Sequence, residues 1–187
     1  IKGLDSLKNT IDRAASLFQN NYQVTSVPPP SPQIEIYALP SNKTIALTWS
    51  PIEANWVNPI SGKSNFREYK IYRSDRSFIG PFTMIRRIDP KRTTDITRYY
   101  DSQNNLWVYE DQTISLGAGY FYAVTSVDSA GNESWLTNRN ESAITATRSP
   151  SANALNVKVF PNPFKEVSGF PTAGTENFII FSNLPAT

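Results

Sequence analysis

The chain of 187 residues carries 18 Lys and Arg against 16 Asp and Glu, a net charge of +2, with 18% charged and 39% hydrophobic residues. This mild balance implies no nucleic-acid partner and no membrane surface. It contains neither Cys nor His, which excludes disulfides, thiolate catalysis and zinc–thiolate sites and removes the commonest general base near neutral pH.

Only carboxylate, Lys, Tyr or Ser chemistry is left for a catalytic site. Four Trp, nine Tyr and ten Phe instead suit a small β-sandwich that fills its core with rings rather than disulfides. The densest basic cluster, Arg86, Arg87, Lys91 and Arg92, reads as a solvated loop. No hydrophobic run approaches the ~20 residues of a membrane span, and no signal-peptide layout opens the chain. A first residue Ile1 and a last run Asn183-Leu184-Pro185-Ala186-Thr187 suggest a piece of a longer polypeptide, in which case missing targeting signals mean little. The length suits one domain of about 100 residues plus part of another.

In chain order, Leu4, Leu7, Ile11, Ala14 and Phe18 recur at steps of three and four, predicting an amphipathic helix within 1–26. Its apolar stripe would lie on a neighbouring domain, on the sandwich, or on another subunit. Val27-Pro28-Pro29-Pro30-Ser31-Pro32 predicts an extended linker over 27–32, because proline fixes φ and removes donors; a proline-rich ligand for another module is the alternative.

Short strands then fill 33–148. Ile34 and Ile36 alternate, and Ile45, Leu47 and Trp49 alternate after the turn 40–43, a hairpin ending on a buried aromatic. Tyr69, Ile71 and Arg73 share one face of a third strand, and 82–88 makes a fourth. The polar stretch 89–107 predicts a protruding loop. Fifth, sixth and seventh strands are expected over 108–114, 120–128 and 141–147. In the sixth, Tyr120, Tyr122, Val124 and Ser126 face one way and Phe121, Ala123, Thr125 and Val127 the other. Expected core residues are Trp49, Tyr69, Ile71, Tyr120, Tyr122 and Val124. A second linker covers 149–154, and strands at 155–159 and 177–182 begin an incomplete β-domain over 155–187.

Three motifs together resemble a fibronectin type III domain: Leu47-Thr48-Trp49-Ser50-Pro51, the run Phe66 to Ser74, and Tyr120-Phe121-Tyr122-Ala123-Val124 leading into Asp128-Ser129-Ala130-Gly131-Asn132-Glu133-Ser134. The resemblance implies an all-β, antiparallel sandwich. Insertions at 51–66 and 89–107 depart from the family's pattern, and there is no Arg-Gly-Asp. The tail, Val157 to Phe164 with its Phe160-Pro161-Asn162-Pro163-Phe164 core, followed by Phe178 to Pro185, resembles the opening of the C-terminal sorting domain of the type IX secretion system. That likeness implies a secreted or cell-surface protein of Bacteroidetes-like bacteria.

Candidate chemistry is sparse. Glu110 and Asp111 are adjacent, so on a strand they face opposite sides and cannot share one bond. Asp95, Asp101, Asn104, Asn105 and Asp111 are oxygen donors suited to calcium, though their spacing matches no defined calcium loop and turn formation is the default use of Asp and Asn. Sequons at Asn42, Asn132 and Asn140 and the short motifs Asp5-Ser6-Leu7 and Asp128-Ser129-Ala130 are glycosylation signals of low information. Trp56, Trp107 and Trp135 are the candidates for stacking on a sugar or a protein from exposed loops. The expectation is a non-catalytic extracellular module that spaces, adheres or assembles, without cofactor. Its partners would be other domains of the same polypeptide, neighbouring subunits or glycans. The alternative is an accessory domain of a secreted hydrolase.

Overall fold

The computed structural model describes residues 2–21, 27–40, 43–146, 158–160 and 179–182. The helix α1 covers Lys2–Gln19. The sandwich that follows is built from β1 (Glu35–Leu39), β2 (Thr44–Trp49), β3 (Phe66–Ser74), β4 (Thr83–Ile88), a short helix α2 (Thr93–Tyr99), β5 (Tyr100–Asp101), β6 (Leu106–Asp111), β7 (Gly119–Asp128) and β8 (Ile144–Thr145). One sheet has the order β1-β2-β6-β5, the other β4-β3-β7-β8, and all pairings are antiparallel. Two four-stranded antiparallel sheets facing each other make an all-β antiparallel sandwich, the fold class expected from the sequence.

The strands form where side-chain alternation meets the core. In β3, Tyr69 and Ile71 are buried while Lys70 and Tyr72 lie on the opposite face, and across the gap Ile45, Leu47, Trp49 and Trp107 complete the apolar filling. Tyr69 is the hub, its ring 5.5 Å from Trp49 and 5.9 Å from Trp107 between centroids. Burial of rings this large, in tilted and edge-on geometry, is the main stabilising term of a sandwich without disulfides.

Strand β7 is buried along its whole length, although alternation sends only every second side chain inward. Its second edge is covered: Ala123 and Val127 bridge to Arg139 and Glu133, Asn140 accepts from the Tyr122 amide and donates to the Tyr120 carbonyl, and Ser31 donates to the Val124 carbonyl. The proline-rich lead-in 27–32, expected as an extended linker, is therefore also part of this cover. Pro29 and Pro32 are buried, Asn138 donates to the Ser31 carbonyl at 2.8 Å, and the pre-set extended backbone lies against the sheet at little entropic cost.

The expected loop at 89–107 also needs correction. It folds into α2, β5 and a four-residue turn before β6, with Tyr99 buried. The Asp95 carboxylate accepts from the Asp89 amide and closes the entry to the helix. Strand β6 thus starts two residues before the expected 108, and Ile114 lies beyond its end. The strand expected over 141–147 shortens to β8.

The chain turns from β6 into β7 through a tyrosine corner. The Ser115 amide donates to the Tyr120 hydroxyl at 2.8 Å, and Gly117 takes a positive φ of 83° where a side chain would be strained. Tyr120→Phe removes the acceptor of that part-buried bond and is expected to cost about 1 kcal/mol by chemical unfolding, with the strand pattern unchanged.

In the tail, β9 (Lys158–Phe160) pairs antiparallel with β10 (Ile180–Ser182). The Pro-Asn-Pro motif at 161–163, the linker at 149–154, Asn42 and the Asn183-Leu184-Pro185 ending lie outside the described residues.

Candidate functional site: an aromatic groove on the outer sheet face

The outward residues of β3 and β7 lie beside the turn 128–134. In that turn the Asp128 carboxylate accepts from the amides of Ala130 and Asn132, and Gly131 takes a φ of +86°, the left-handed conformation that glycine adopts freely. The turn delivers Glu133 onto the sheet. Its carboxylate accepts from Lys70 Nζ at 2.6 Å, from the Tyr72 hydroxyl at 2.7 Å and from the Thr125 hydroxyl at 2.7 Å.

Burial alone would raise the Glu133 carboxyl, but the donors Lys70, Thr125 and Tyr72 outweigh it and hold it below the usual carboxylate range. Burial, reinforced by Glu133, pushes the Tyr72 hydroxyl well above the ordinary tyrosine value. The result is a rigid polar floor. Above it lies an open groove of about 680 Å³ lined by Tyr72, Glu133, Trp135, Leu136 and Arg139 among others. Trp135 is 79% exposed, and nearby the Arg139 guanidinium sits 5.7 Å from the centre of the Phe78 ring, with Phe78 and Ile79 also exposed. A flat exposed ring, a flanking cation and a fixed carboxylate are the elements with which a shallow cleft holds a polar ligand.

The three tryptophans proposed for stacking separate clearly. Trp135 stands exposed in the groove. Trp56 is partly buried against the core. Trp107 is only 2% exposed, which corrects its assignment to an exposed loop: it belongs to β6, opposite Trp49 in register, and donates its indole N–H to Glu53 Oε1 at 2.9 Å. Trp49, Tyr69, Ile71, Tyr120, Tyr122 and Val124 all sit in the core cluster.

The carboxylates with catalytic or calcium potential are likewise placed. Glu110 is exposed and Asp111 fully buried, on opposite faces as adjacency requires. Asp111 accepts from Arg73 at 2.7 Å, from the Tyr122 hydroxyl at 2.9 Å and from the amide and hydroxyl of Thr113. Asp101 accepts from the Gln103 and Asn104 amides and the Asn104 side chain, while Asn105 accepts from the Tyr100 hydroxyl. The side-chain oxygens of Asp95, Asp101, Asn105 and Asp111 are thus engaged in local turns or pairs, and no group of three or more acidic residues among the described residues is gathered around a common point. Asn140 is spent on the β7 edge.

Sequence reading missed Glu53. It lies in the insertion 51–66 and accepts from the Tyr69 hydroxyl and the Trp107 indole, while the Ile52 amide donates to the same Tyr69 oxygen at 2.8 Å. No periodic signal marks such a residue; its pairing follows only from the fold.

No family model matches the chain, and no curated protein matches it. Among solved structures it is similar to an Fn3-like protein from Clostridium thermocellum, with 23% identity over 58% of this chain and 85% of that one at a TM-score of 0.39. It is also similar to a pectate lyase from Pectobacterium carotovorum (16% identity, 69% of this chain, 31% of that one, TM-score 0.36) and to a β-1,2-glucanase from Parabacteroides distasonis (24% identity, 67% of this chain, 13% of that one, TM-score 0.35). The chain spans less than a third of the lyase and a smaller share still of the glucanase, and none of these likenesses bears on what it binds.

Proposed function

We propose that this chain is a non-catalytic adhesion module of a larger extracellular or cell-surface bacterial protein, and that it holds a glycan or peptide in the groove beneath Trp135. The exposed ring over a polar floor carries the reading. A surface Trp costs little to immobilise and offers a large flat contact, and Trp135 is exposed on a sandwich whose other tryptophans are buried or partly buried. The saturated carboxylates support a non-catalytic role: Glu133 and Asp111 are both held ionised by several donors, a poor arrangement for moving protons near neutral pH. Secretion by the type IX route rests on the resemblance of residues 157–185, and an accessory role beside an upstream hydrolase is compatible with the same groove.

The test is a glycan and peptide array followed by titration of the hits. Trp135→Ala is expected to weaken binding by about tenfold or more, or about 1.4 kcal/mol or more, while leaving the melting temperature unchanged because the ring is exposed. Equal affinity of the variant for every hit removes the groove as the site.

A second reading, assembly with a neighbouring subunit, is favoured by α1, where Leu7 and Ile11 are each 57% exposed and Phe18 67% exposed, an apolar stripe suited to helix packing.

A further inference from the structure

A second cavity, of about 420 Å³, opens between β4, α2 and β6 and shares no lining residue with the Trp135 groove. We propose that it is an oxyanion site taking a carboxylate or sulfate group between Arg86 and Arg98. The argument begins with register. Arg86 pairs with Ile71 across β3 and β4, and Ile71 is fully buried, so Arg86 stands on the inward face of an edge strand rather than in a solvated loop.

Both guanidiniums lie on one ring: the central carbon of Arg86 is 5.1 Å and that of Arg98 5.3 Å from the centre of Tyr99. Their sequence neighbours are compensated, Arg87 by Glu68 and Arg92 by Asp95. Among the described residues neither Arg86 nor Arg98 has an ion-pair partner, and Arg86 Nε is buried without any hydrogen-bond acceptor. Glu110 is the single carboxylate among the lining residues, and it is exposed.

Two like charges held against one ring repel, and a buried N–H without an acceptor is costly. A bound oxyanion relieves both, since guanidinium donors match carboxylate and sulfate geometry and cation–π stacking fixes their planes. The cavity exceeds the size of a bare ion and falls in the range of small-molecule sites of about 300–1,000 Å³, with Gln112 as a further polar contact.

The experiment titrates the full chain with sodium sulfate and, separately, with a uronate disaccharide. Each is set against chloride at constant ionic strength, and the arginine Nε–H signals are read by two-dimensional NMR. Saturable shifts of the Arg86 and Arg98 signals are expected. Arg98→Gln, an exposed substitution that spares the core, should weaken binding about tenfold or more, whereas Arg67→Gln, exposed and outside the cavity, should change nothing. A disaccharide that binds about tenfold tighter than sulfate assigns the site to an acidic glycan, and equal affinities assign it to a free small anion. Linear drift without saturation, or saturation that Arg98→Gln leaves intact, overturns the proposal.

Discussion

Replacing Asp111 by Ala is expected to destabilise the sandwich by about 3 kcal/mol, the lower end of the range for breaking a buried ion pair. Asp111 is fully buried on β6, in one sheet, while Arg73 on β3 and Tyr122 on β7 belong to the other. The carboxylate is therefore a polar tie between the layers. Removing it leaves the Tyr122 hydroxyl and the Thr113 amide without their acceptor and the Arg73 guanidinium without its counter-charge, and the loss is tempered because Arg73 still donates to the Thr113 carbonyl and hydroxyl, keeps 22% of its side chain in water and stays over the Tyr120 ring. Urea unfolding of Asp111→Ala measures the effect, and a shift below about 1 kcal/mol would show the tie to be dispensable. The double variant Arg73→Met with Asp111→Leu should recover part of the loss, because the stranded charge has gone.

The same tie sets an acid limb. Burial raises the Asp111 carboxyl, but the Thr113 donors and Arg73 prevail and leave it below the ordinary carboxylate value; Glu133 behaves alike through Lys70, Thr125 and Tyr72. With folded values below unfolded ones, the unfolded chain binds more protons in acid, so this stabilisation is complete above about pH 5 and fades as pH falls through the folded values. Asp111→Ala should therefore show a flatter loss of stability on acidification than the parent chain.

Much of the sandwich was legible because alternation survives in the sequence wherever one face is buried. Tyr69 and Ile71, or Tyr120, Tyr122 and Val124, announce their strands without any partner being known. What stayed hidden was either too short or too distant in sequence for a local pattern to record. The helix α2 is seven residues long, too short for a repeat to show, so its Tyr99 and the following Trp107 read as parts of a polar loop. The pair Arg73–Asp111 joins positions 38 apart in sequence, and Glu53 reaches Trp107 over a separation of 54; no local pattern records such meetings. The groove was half legible. Trp135 could be named from its loop, but its floor depends on Glu133 folding back 63 positions onto Lys70, and Arg86 looked like surface until register placed it opposite Ile71.

The two buried tryptophans allow a sharper test of the core. Trp49→Ala should cost about 3–5 kcal/mol, the usual range for emptying a large buried ring, because Trp49 is 2% exposed and packs edge-on against Tyr69. Trp107→Ala should fall in or above that range, since it also removes a hydrogen bond. Substitution by Phe separates the two sites. Trp49 Nε1 is buried with no partner, so Trp49→Phe discards a donor that gains nothing from folding, and its cost reduces to the volume lost. Trp107→Phe loses similar volume and also deprives Glu53 of the indole donor, a further penalty of about 1–3 kcal/mol for a charged acceptor left short. Tyr69 still donates to that carboxylate, which places the penalty in the lower half of the range. The two Phe variants, compared by urea midpoints at equal slope, should differ in that order; an equal or reversed order would mean that Glu53 finds another donor and that the Tyr69–Glu53–Trp107 chain does not brace the interior.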